Sequence, residues 1–265
     1  ATGARCIDGS PPFYALRRAS AEINRTKWYF HIEGGGWCVS AEDCAARGLT
    51  RLGSSDRQYG TKARYCGSLA VPDSTINPLS HDWNFAYFHY CDGGSWTGDN
   101  ISTTVQDGRS QYFRGFRNLN AILGDLLEFE GLNMATEVII GGDSAGGLAT
   151  WIHTDHIRRQ LPPTTKVVGL PDSGFFLDYG HYHDDLAWVY HQMNATAGLH
   201  QDCVAHYAPL DQTYMCIFAP YTAPFCQTPM FALQGRFDSY QTSAILGSDD
   251  PARVNPYGLM LQSQL

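Results

Sequence analysis

The chain has 265 residues, of which 43% are hydrophobic, so a single α/β domain with a substantial core is the favoured organisation. A net charge of −8 and a pI near 5.6 argue against a nucleic-acid partner, and no apolar run is long enough to span a membrane. The chain holds eight cysteines and no C-x-x-C pair, which argues against zinc or thioredoxin chemistry and favours an oxidising, secretory compartment.

Two further features concern secretion and processing. Three N-x-S/T sequons make Asn24, Asn100 and Asn194 candidate glycosylation sites. The chain begins at Ala1 rather than at Met, and it shows no signal peptide. We therefore expect that a leader has been removed or that the sequence is a fragment.

The first clear strand covers residues 27–32, which are aromatic and alternating. It leads directly into the glycine triplet 34–36. Glycines at the end of a strand let backbone N–H groups turn outward, as in the oxyanion-hole loop of α/β-hydrolases, although a flexible turn is the alternative. Cys38 and Cys44 flank the next short loop, where a disulfide would stiffen the glycine loop and contribute about 2 kcal/mol.

The next segments predict an excursion, a strand and a helix. Residues 48–80 are polar and predict a long surface segment. Residues 84–91 predict a buried strand, and the loop at 92–99 follows its carboxyl end, where open α/β sheets place ligands. Apolar residues at helical spacing predict a helix over about 111–130, with its apolar stripe facing the sheet.

The centre of the sequence is a G-x-S-x-G pentapeptide around Ser144. A β-branched strand at 138–140 precedes it, and a helix is predicted over 148–161. Strand, tight turn and helix form the context of a nucleophile elbow, in which glycines such as Gly142 and Gly146 avoid a clash between strand and helix. We therefore expect Ser144 to be a nucleophile, with the helix N-terminus behind it.

The last third predicts two more strands around an insertion. A strand is expected at 166–170, a helix at 183–193, and an insertion or cap at about 195–228 that holds three cysteines. The last clear strand is expected at 229–234. It delivers Asp238, which stands where the triad acid of a doubly wound α/β-hydrolase is expected, after Ser and before His; the alternative is an aspartate that caps a helix or a turn.

Five stretches carry a family resemblance across nearly the whole chain. The stretches are IEGGGWC at 32–38, YCDGGSWTGD at 90–99, GGDSAGG at 141–147, DSGFFLD at 172–178 and FDSYQ at 237–241. With these stretches the chain resembles the pectin acetylesterase family, which also includes Notum, an animal extracellular lipid-removing esterase. The loop at 92–99 looks closer to the plant-type pectin acetylesterases.

The resemblance implies an α/β-hydrolase fold, secretion and a metal-free Ser-Asp-His triad without a cofactor. It makes Ser144 the nucleophile, Asp238 the acid, and the N–H groups of Gly35, Gly36 and Ala145 the oxyanion hole. It also implies two disulfides, Cys38–Cys44 and Cys6–Cys91. It leaves open the pairing of Cys66, Cys203, Cys216 and Cys226.

One departure from the family concerns the base, since none of the ten histidines follows Asp238. We expect residues 1–265 to be a single domain that is incomplete at its C-terminus, with the catalytic His beyond residue 265. An inactive relative is one alternative, and substitution by His181 or His183 is another. A chain without the base is expected to lose roughly 10⁴ to 10⁶ in kcat.

The expected function is a monomeric, secreted serine carboxylesterase that removes O-acetyl groups from pectin or a related cell-wall polysaccharide. The alternatives are a Notum-like O-acyl protein esterase and an inactive carbohydrate-binding relative. Trp37 and Trp96 are candidates for stacking on a sugar ring, unless both belong to the core. Since pectin is polyanionic and the chain acidic, any attraction requires a local basic patch, for which Arg114, Arg117 and Arg236 are candidates.

Overall fold

A computed structural model describes residues 2–57 and 68–265. Its β-strands are β1 Tyr14–Arg17, β2 Lys27–Ile32, β3 Asn84–Phe88, β4 Thr104–Gln106, β5 Arg109–Gln111, β6 Glu137–Asp143 and β7 Lys166–Asp172. Its α-helices are α1 Ala41–Arg47, α2 Gly115–Phe129, α3 Ala145–Gln160, α4 Tyr182–Gln192, α5 Gln201–Tyr207, α6 Ala219–Thr222 and α7 Pro251–Gln264.

Five strands form one mostly parallel sheet in the order β1-β3-β2-β6-β7. Only β1 runs antiparallel to its neighbour, β3. The strands β2 and β6 lie side by side, with Ile32 paired to Gly142 at their carboxyl ends. Because parallel strands end at the same edge, the glycine triplet after β2 and the pentapeptide at the end of β6 emerge as neighbours.

The strand residues divide between two apolar layers with the period of two that a pleated sheet imposes. Trp28, Phe30 and Ile32 pack in a core with α2 and α3, whereas Tyr29 packs on the opposite face. A third cluster joins α3 to α4, to the short helices of 195–228 and to α7. The fold is therefore an α/β-hydrolase-like sheet whose carboxyl edge is open to insertions.

Several predicted boundaries shift for local reasons. The strand at 27–32 is observed as predicted, whereas α2 starts at residue 115 because residues 109–111 pair with β4 instead. The segment predicted as a strand at 229–234 runs parallel to β7, but it forms two isolated bridges, Met230 to Gly169 and Leu233 to Asp172, rather than a continuous strand. Four backbone hydrogen bonds of 2.7 to 3.0 Å join residues 229–233 to β7 and to the residue after it.

Three disulfides stabilise the described part of the chain. Cys6–Cys91 and Cys38–Cys44 are the pairs that the resemblance implied, and Cys203–Cys216 is one that the sequence left open. Cys226 carries a free thiol, and burial raises its pKa to about 12. Cys66, together with part of the predicted surface segment, falls at 58–67, outside the described residues.

The predicted insertion at 195–228 consists of short helical segments and holds the disulfide Cys203–Cys216. Asp155 on α3 accepts hydrogen bonds from the insertion near both of its ends. His200 Nε2 lies 2.9 Å from one carboxylate oxygen, and the amides of Gln227 and Thr228 donate at 2.8 and 2.9 Å. Among the described residues, no helix has the length and apolar character needed to cross a bilayer.

Candidate active site

Ser144 occupies the sharp turn between β6 and α3. Its backbone has φ 55° and ψ −122°, which is a strained conformation for a residue with a side chain. The Ser144 amide donates to the carbonyl of Asp172 at 2.9 Å, which ties the turn to the end of β7. The turn therefore presents a partly exposed serine at the carboxyl edge of the sheet, as expected for a nucleophile elbow.

The glycines on either side of this serine are required by close backbone contacts. A Cβ atom on Gly146 would lie 2.0 Å from the carbonyl oxygen of Ile32, and one on Gly142 would lie 2.5 Å from the carbonyl oxygen of Gly146. Atoms do not approach this closely without displacement. The pentapeptide thus allows α3 to begin directly against the end of β2.

The glycine triplet after β2 lies against the same turn. A Cβ on Gly34 would lie 2.1 Å from the carbonyl oxygen of Asp143 and 3.1 Å from the amide nitrogen of Ala145. Gly35 and Gly36 have φ values of 147° and 69°, which disfavour residues with side chains. The two loops that the sequence predicted to form the oxyanion hole are therefore in contact.

The orientation of the triplet is set by bonds to its carbonyl groups. Arg47 Nη2 donates to the carbonyl of Gly35 at 2.9 Å, and Tyr90 Oη donates to the carbonyl of Gly36 at 2.8 Å. In a trans peptide the N–H group points away from the preceding carbonyl, so the Gly36 N–H points away from Arg47. Arg47 ends α1, which the Cys38–Cys44 disulfide attaches to the loop.

A buried carboxylate supports the triplet from β2. Glu33 accepts from the amide of Tyr90 at 2.9 Å, pairs with Arg51, and lies 3.0 Å from His89 Nδ1. Burial by itself would raise the pKa of Glu33, but the bonds to His89, Tyr87 and Tyr90 outweigh it and lower the pKa to about 2. Glu33 is therefore ionised at neutral pH, directly before the glycine loop.

Asp238 lies in the loop that follows the 229–234 segment beside β7. Its Oδ1 accepts from the amide of Gln241 at 2.8 Å and so caps the turn of π-helix at Gln241–Ile245. Two residues after Asp238, the ring of Tyr240 lies 6.3 Å from the ring of Trp37, which follows the glycine triplet. The acid loop and the glycine loop thus meet at the carboxyl edge of the sheet.

The two candidate sugar platforms differ. Trp37 is partly exposed, packs against Phe176 at 5.0 Å, and donates from Nε1 to Ser95 Oγ at 2.7 Å. Trp96 has no exposed surface and stacks on Tyr90. The expectation that Trp96 stacks on a sugar is therefore wrong, because the loop at 92–99 turns its indole into the core between sheet and α2.

The two histidines considered as substitutes for the base are engaged with carboxylates. His183 Nδ1 bonds Asp178 at 2.8 Å, and His181 lies 3.8 Å from Asp185, so both are paired at the start of α4. All ten histidines lie in the described ranges, and none of them hydrogen-bonds to Ser144 or Asp238 there. The suggestion that His181 or His183 substitutes for the base gains no support from this geometry.

Sequence reasoning missed a polar pair directly beside the nucleophile. His31 on β2 places Nε2 2.9 Å from Asp143 Oδ1, and its Nδ1 lies 3.2 Å from Tyr29 Oη. The signal was available, since Asp143 precedes Ser144 and strand alternation puts Tyr29 and His31 on one face. His31 thus ties Asp143, the residue before the nucleophile, to the neighbouring strand β2.

The three candidate arginines for a basic patch all make contacts within the protein. Arg114 donates to the carbonyls of Gly3 and Ile101, and Arg117 pairs with Asp99 at 2.5 Å, so both hold the start of α2 in place. Arg236, whose guanidinium lies over the ring of Phe237 at 5.1 Å, stands two residues before Asp238 in the acid loop. A local basic patch stays a prediction.

Two further expectations from the sequence concern glycosylation and metal binding. Asn194 is exposed and Asn24 and Asn100 are partly buried, and all three side-chain amides donate, to the carbonyl of Asp99, to Asp82 and to the carbonyl of Gln192 respectively. Glycosylation at these sites stays a prediction. Within residues 2–57 and 68–265, no group of three histidine, cysteine or acidic side chains is arranged to hold a metal ion.

Comparison with known proteins places this geometry in a family. The sequence model of the pectinacetylesterase family matches residues 1–257. Pectin acetylesterase 11 of Arabidopsis thaliana is 35% identical over 255 residues, which cover 93% of this chain and 62% of the relative. The palmitoleoyl-protein carboxylesterase NOTUM of Homo sapiens is 27% identical over 254 residues, covering 91% of this chain and 50% of that protein.

The solved structures give the same result for the fold. The structure of the Wnt deacylase Notum from Drosophila matches with a TM-score of 0.86 and 26% identity, covering all of this chain and 79% of that one. The chain spans about 60% of the length of the plant relatives that it matches. With the family match over residues 1–257 and the elbow around Ser144, the chain belongs to the pectin acetylesterase family of α/β-hydrolase-like proteins.

Proposed function

We propose that the protein is a secreted serine carboxylesterase that removes O-acetyl groups from pectin or a related cell-wall polysaccharide. The observation that carries the proposal is the contact between the strained Ser144 turn and the glycine triplet, in which Gly34 lies against the backbone of Asp143 and Ala145. Family membership supports ester hydrolysis, and the three disulfides support secretion.

In the proposed reaction Ser144 Oγ attacks the acetyl carbonyl carbon, and its proton passes to a histidine. The N–H groups of Gly35, Gly36 and Ala145 stabilise the oxyanion, at roughly 3 kcal/mol for each donor. The proton then moves to the departing sugar oxygen, and water hydrolyses the acyl-enzyme. Asp238 orients the histidine, which we assign to a position outside the 265 residues of this chain.

The structural similarity to Notum and the aromatic side chains beside the glycine loop favour a second candidate. Trp37 and Tyr240 both keep exposed surface, lie 6.3 Å apart between ring centroids, and pack on the buried ring of Phe176, which gives this side of the site an apolar surface. An apolar wall suits a longer acyl group as well as acetyl. The second candidate is therefore an esterase that removes a fatty acyl group.

The test uses the longest form of the protein that its gene encodes. Acetate release from acetylated pectin is compared with cleavage of a long-chain acyl ester. We expect acetate release to dominate, and Ser144→Ala to lower kcat by roughly 10⁴ to 10⁶. Ser110→Ala, which removes an exposed hydroxyl on β5, serves as the matched control. Acetate release at the wild-type rate by Ser144→Ala would end the proposal, and preference for the long-chain ester would favour the second candidate.

A further inference from the structure

We propose that Ser95 is a positioning residue for the oxyanion hole, because its hydroxyl joins Ala145, the first residue of α3, to Trp37 at the end of the glycine loop. This inference rests on the proposed esterase function. It assigns a role to the loop at 92–99, which contributes no residue to the triad or to the hole.

The Ser95 hydroxyl uses its proton and one lone pair to connect two separate segments. Trp37 Nε1 donates to Ser95 Oγ at 2.7 Å, and Ser95 Oγ donates to the carbonyl of Ala145 at 2.8 Å. Ser95 has no exposed surface, so water does not compete for these bonds. Two bonds that pass through one hydroxyl strengthen each other, and the low local dielectric increases the effect.

The main chain of Ser95 is held at both of its polar groups. Its amide donates to Tyr90 Oη at 3.0 Å, and the same Tyr90 hydroxyl donates to the carbonyl of Gly36 at 2.8 Å. Its carbonyl accepts from His153 Nε2 at 3.2 Å, on the helix that starts behind the nucleophile. Burial lowers the pKa of His153 to about 3, so this histidine is neutral and provides one N–H donor.

The conformation of the loop is itself unusual. Ser95 and Trp96 have φ values of 51° and 64°, which non-glycine residues adopt only when their surroundings require it. Asp92 Oδ2 accepts from the amides of Gly94 and Trp96 at 3.1 and 2.9 Å and so closes the turn. The strained turn places the Ser95 hydroxyl between the two loops.

The consequence for catalysis is geometric. An oxyanion hole works only when its N–H groups converge on one oxygen atom at about 2.7 to 3.1 Å. Here the N–H groups belong to two loops, one after β2 and one at the start of α3. Ser95 links these loops through side-chain and backbone bonds, and so sets their spacing without touching substrate.

The test compares Ser95→Ala with Thr97→Val in the longest form of the protein. Thr97 is an equally buried hydroxyl of the same loop, but it donates to the carbonyl of Gly94 within that loop. We expect Ser95→Ala to lower kcat about ten- to hundred-fold with KM within two-fold, since it displaces rather than removes a donor. We expect Thr97→Val to keep the wild-type kcat.

Two further measurements separate positioning from loss of folding. Ser95→Gly removes the hydroxyl but suits the positive φ, so it should lose less Tm than Ser95→Ala and, assayed well below its Tm, still show the kcat loss. The affinity of a phenylboronic acid, which forms a tetrahedral adduct with the nucleophilic serine, should fall by the same factor as kcat. The Trp37 indole N–H should lose protection against hydrogen exchange in both variants.

The outcomes distinguish the two proposals. Wild-type kcat and boronate affinity in Ser95→Gly would overturn the positioning role, as would equal losses in Ser95→Ala and Thr97→Val. A wild-type protein whose hydrolysis does not depend on Ser144 would refute the esterase proposal. In that case the protection of the Trp37 indole N–H against exchange still decides whether Ser95 holds the two loops together.

Discussion

Replacement of Glu33 by Gln should destabilise the protein and remove a defined part of its pH dependence. Glu33 is 4% exposed, and its carboxylate accepts from the amide of Tyr90 and contacts Arg51 and His89. The substitution keeps the shape of the side chain but removes the charge. It therefore tests the ionic support of the glycine loop rather than its packing.

The magnitude follows from the pKa of this carboxyl, which the fold lowers from 4.5 to about 2. A difference of about 2.5 units corresponds to about 3 kcal/mol of folding free energy. Between pH 2 and pH 4.5 the unfolded chain binds this proton more readily than the folded protein. The contribution is therefore complete above about pH 5 and is lost as the pH falls towards 2.

The assay is urea unfolding of the wild type and Glu33→Gln at a series of pH values from 2.5 to 7. We expect Glu33→Gln to be less stable by about 3 kcal/mol at pH 7, and to show a flatter dependence on pH below 5. Glu42→Gln, an exposed substitution on α1, is the control and should match the wild type. Equal stability of Glu33→Gln and the wild type at pH 7, with parallel pH profiles, would refute this reasoning.

Two further predictions concern backbone contacts and the insertion. Gly146→Ala should lower the stability of the protein by more than about 4 kcal/mol, because its Cβ would lie 2.0 Å from the carbonyl oxygen of Ile32. The control is Gly124→Ala, on the open face of α2, which should raise the stability by about 0.5 to 1 kcal/mol. Thermal unfolding measures both changes. A Tm for Gly146→Ala equal to or above that of Gly124→Ala would contradict the close contact at Gly146. Asp155→Asn should cost roughly 2 to 3 kcal/mol and speed limited proteolysis within 195–228, because it weakens bonds near both ends of that segment. An unchanged cleavage rate there would show that the insertion is held by its apolar contacts alone.

The elements that the sequence predicted well are those with a strong local signal. The strand at 27–32 and the turn around Ser144 follow from residue type and spacing, since β-branched and aromatic residues favour strands and glycines permit the elbow. The segment 229–234 has the same apolar character, yet its four backbone hydrogen bonds beside β7 give two isolated bridges rather than a continuous strand. Pairing along the edge of a sheet depends on the neighbouring backbone, which local propensity does not contain.

The candidate site shows the same difference between features with a local sequence signal and features that depend on distant residues. The sequence by itself determined which residues we propose for the chemistry: Ser144 on an elbow, a glycine triplet after β2, and Asp238 after a late apolar segment. Tertiary structure alone decided that Trp96 is buried, that β2 lies beside β6 so that His31 reaches Asp143, and that Ser95 joins the glycine loop to α3. Residue type and spacing report what a short stretch favours, whereas burial and hydrogen bonding between residues 50 to 112 positions apart depend on how the strands are ordered in the sheet.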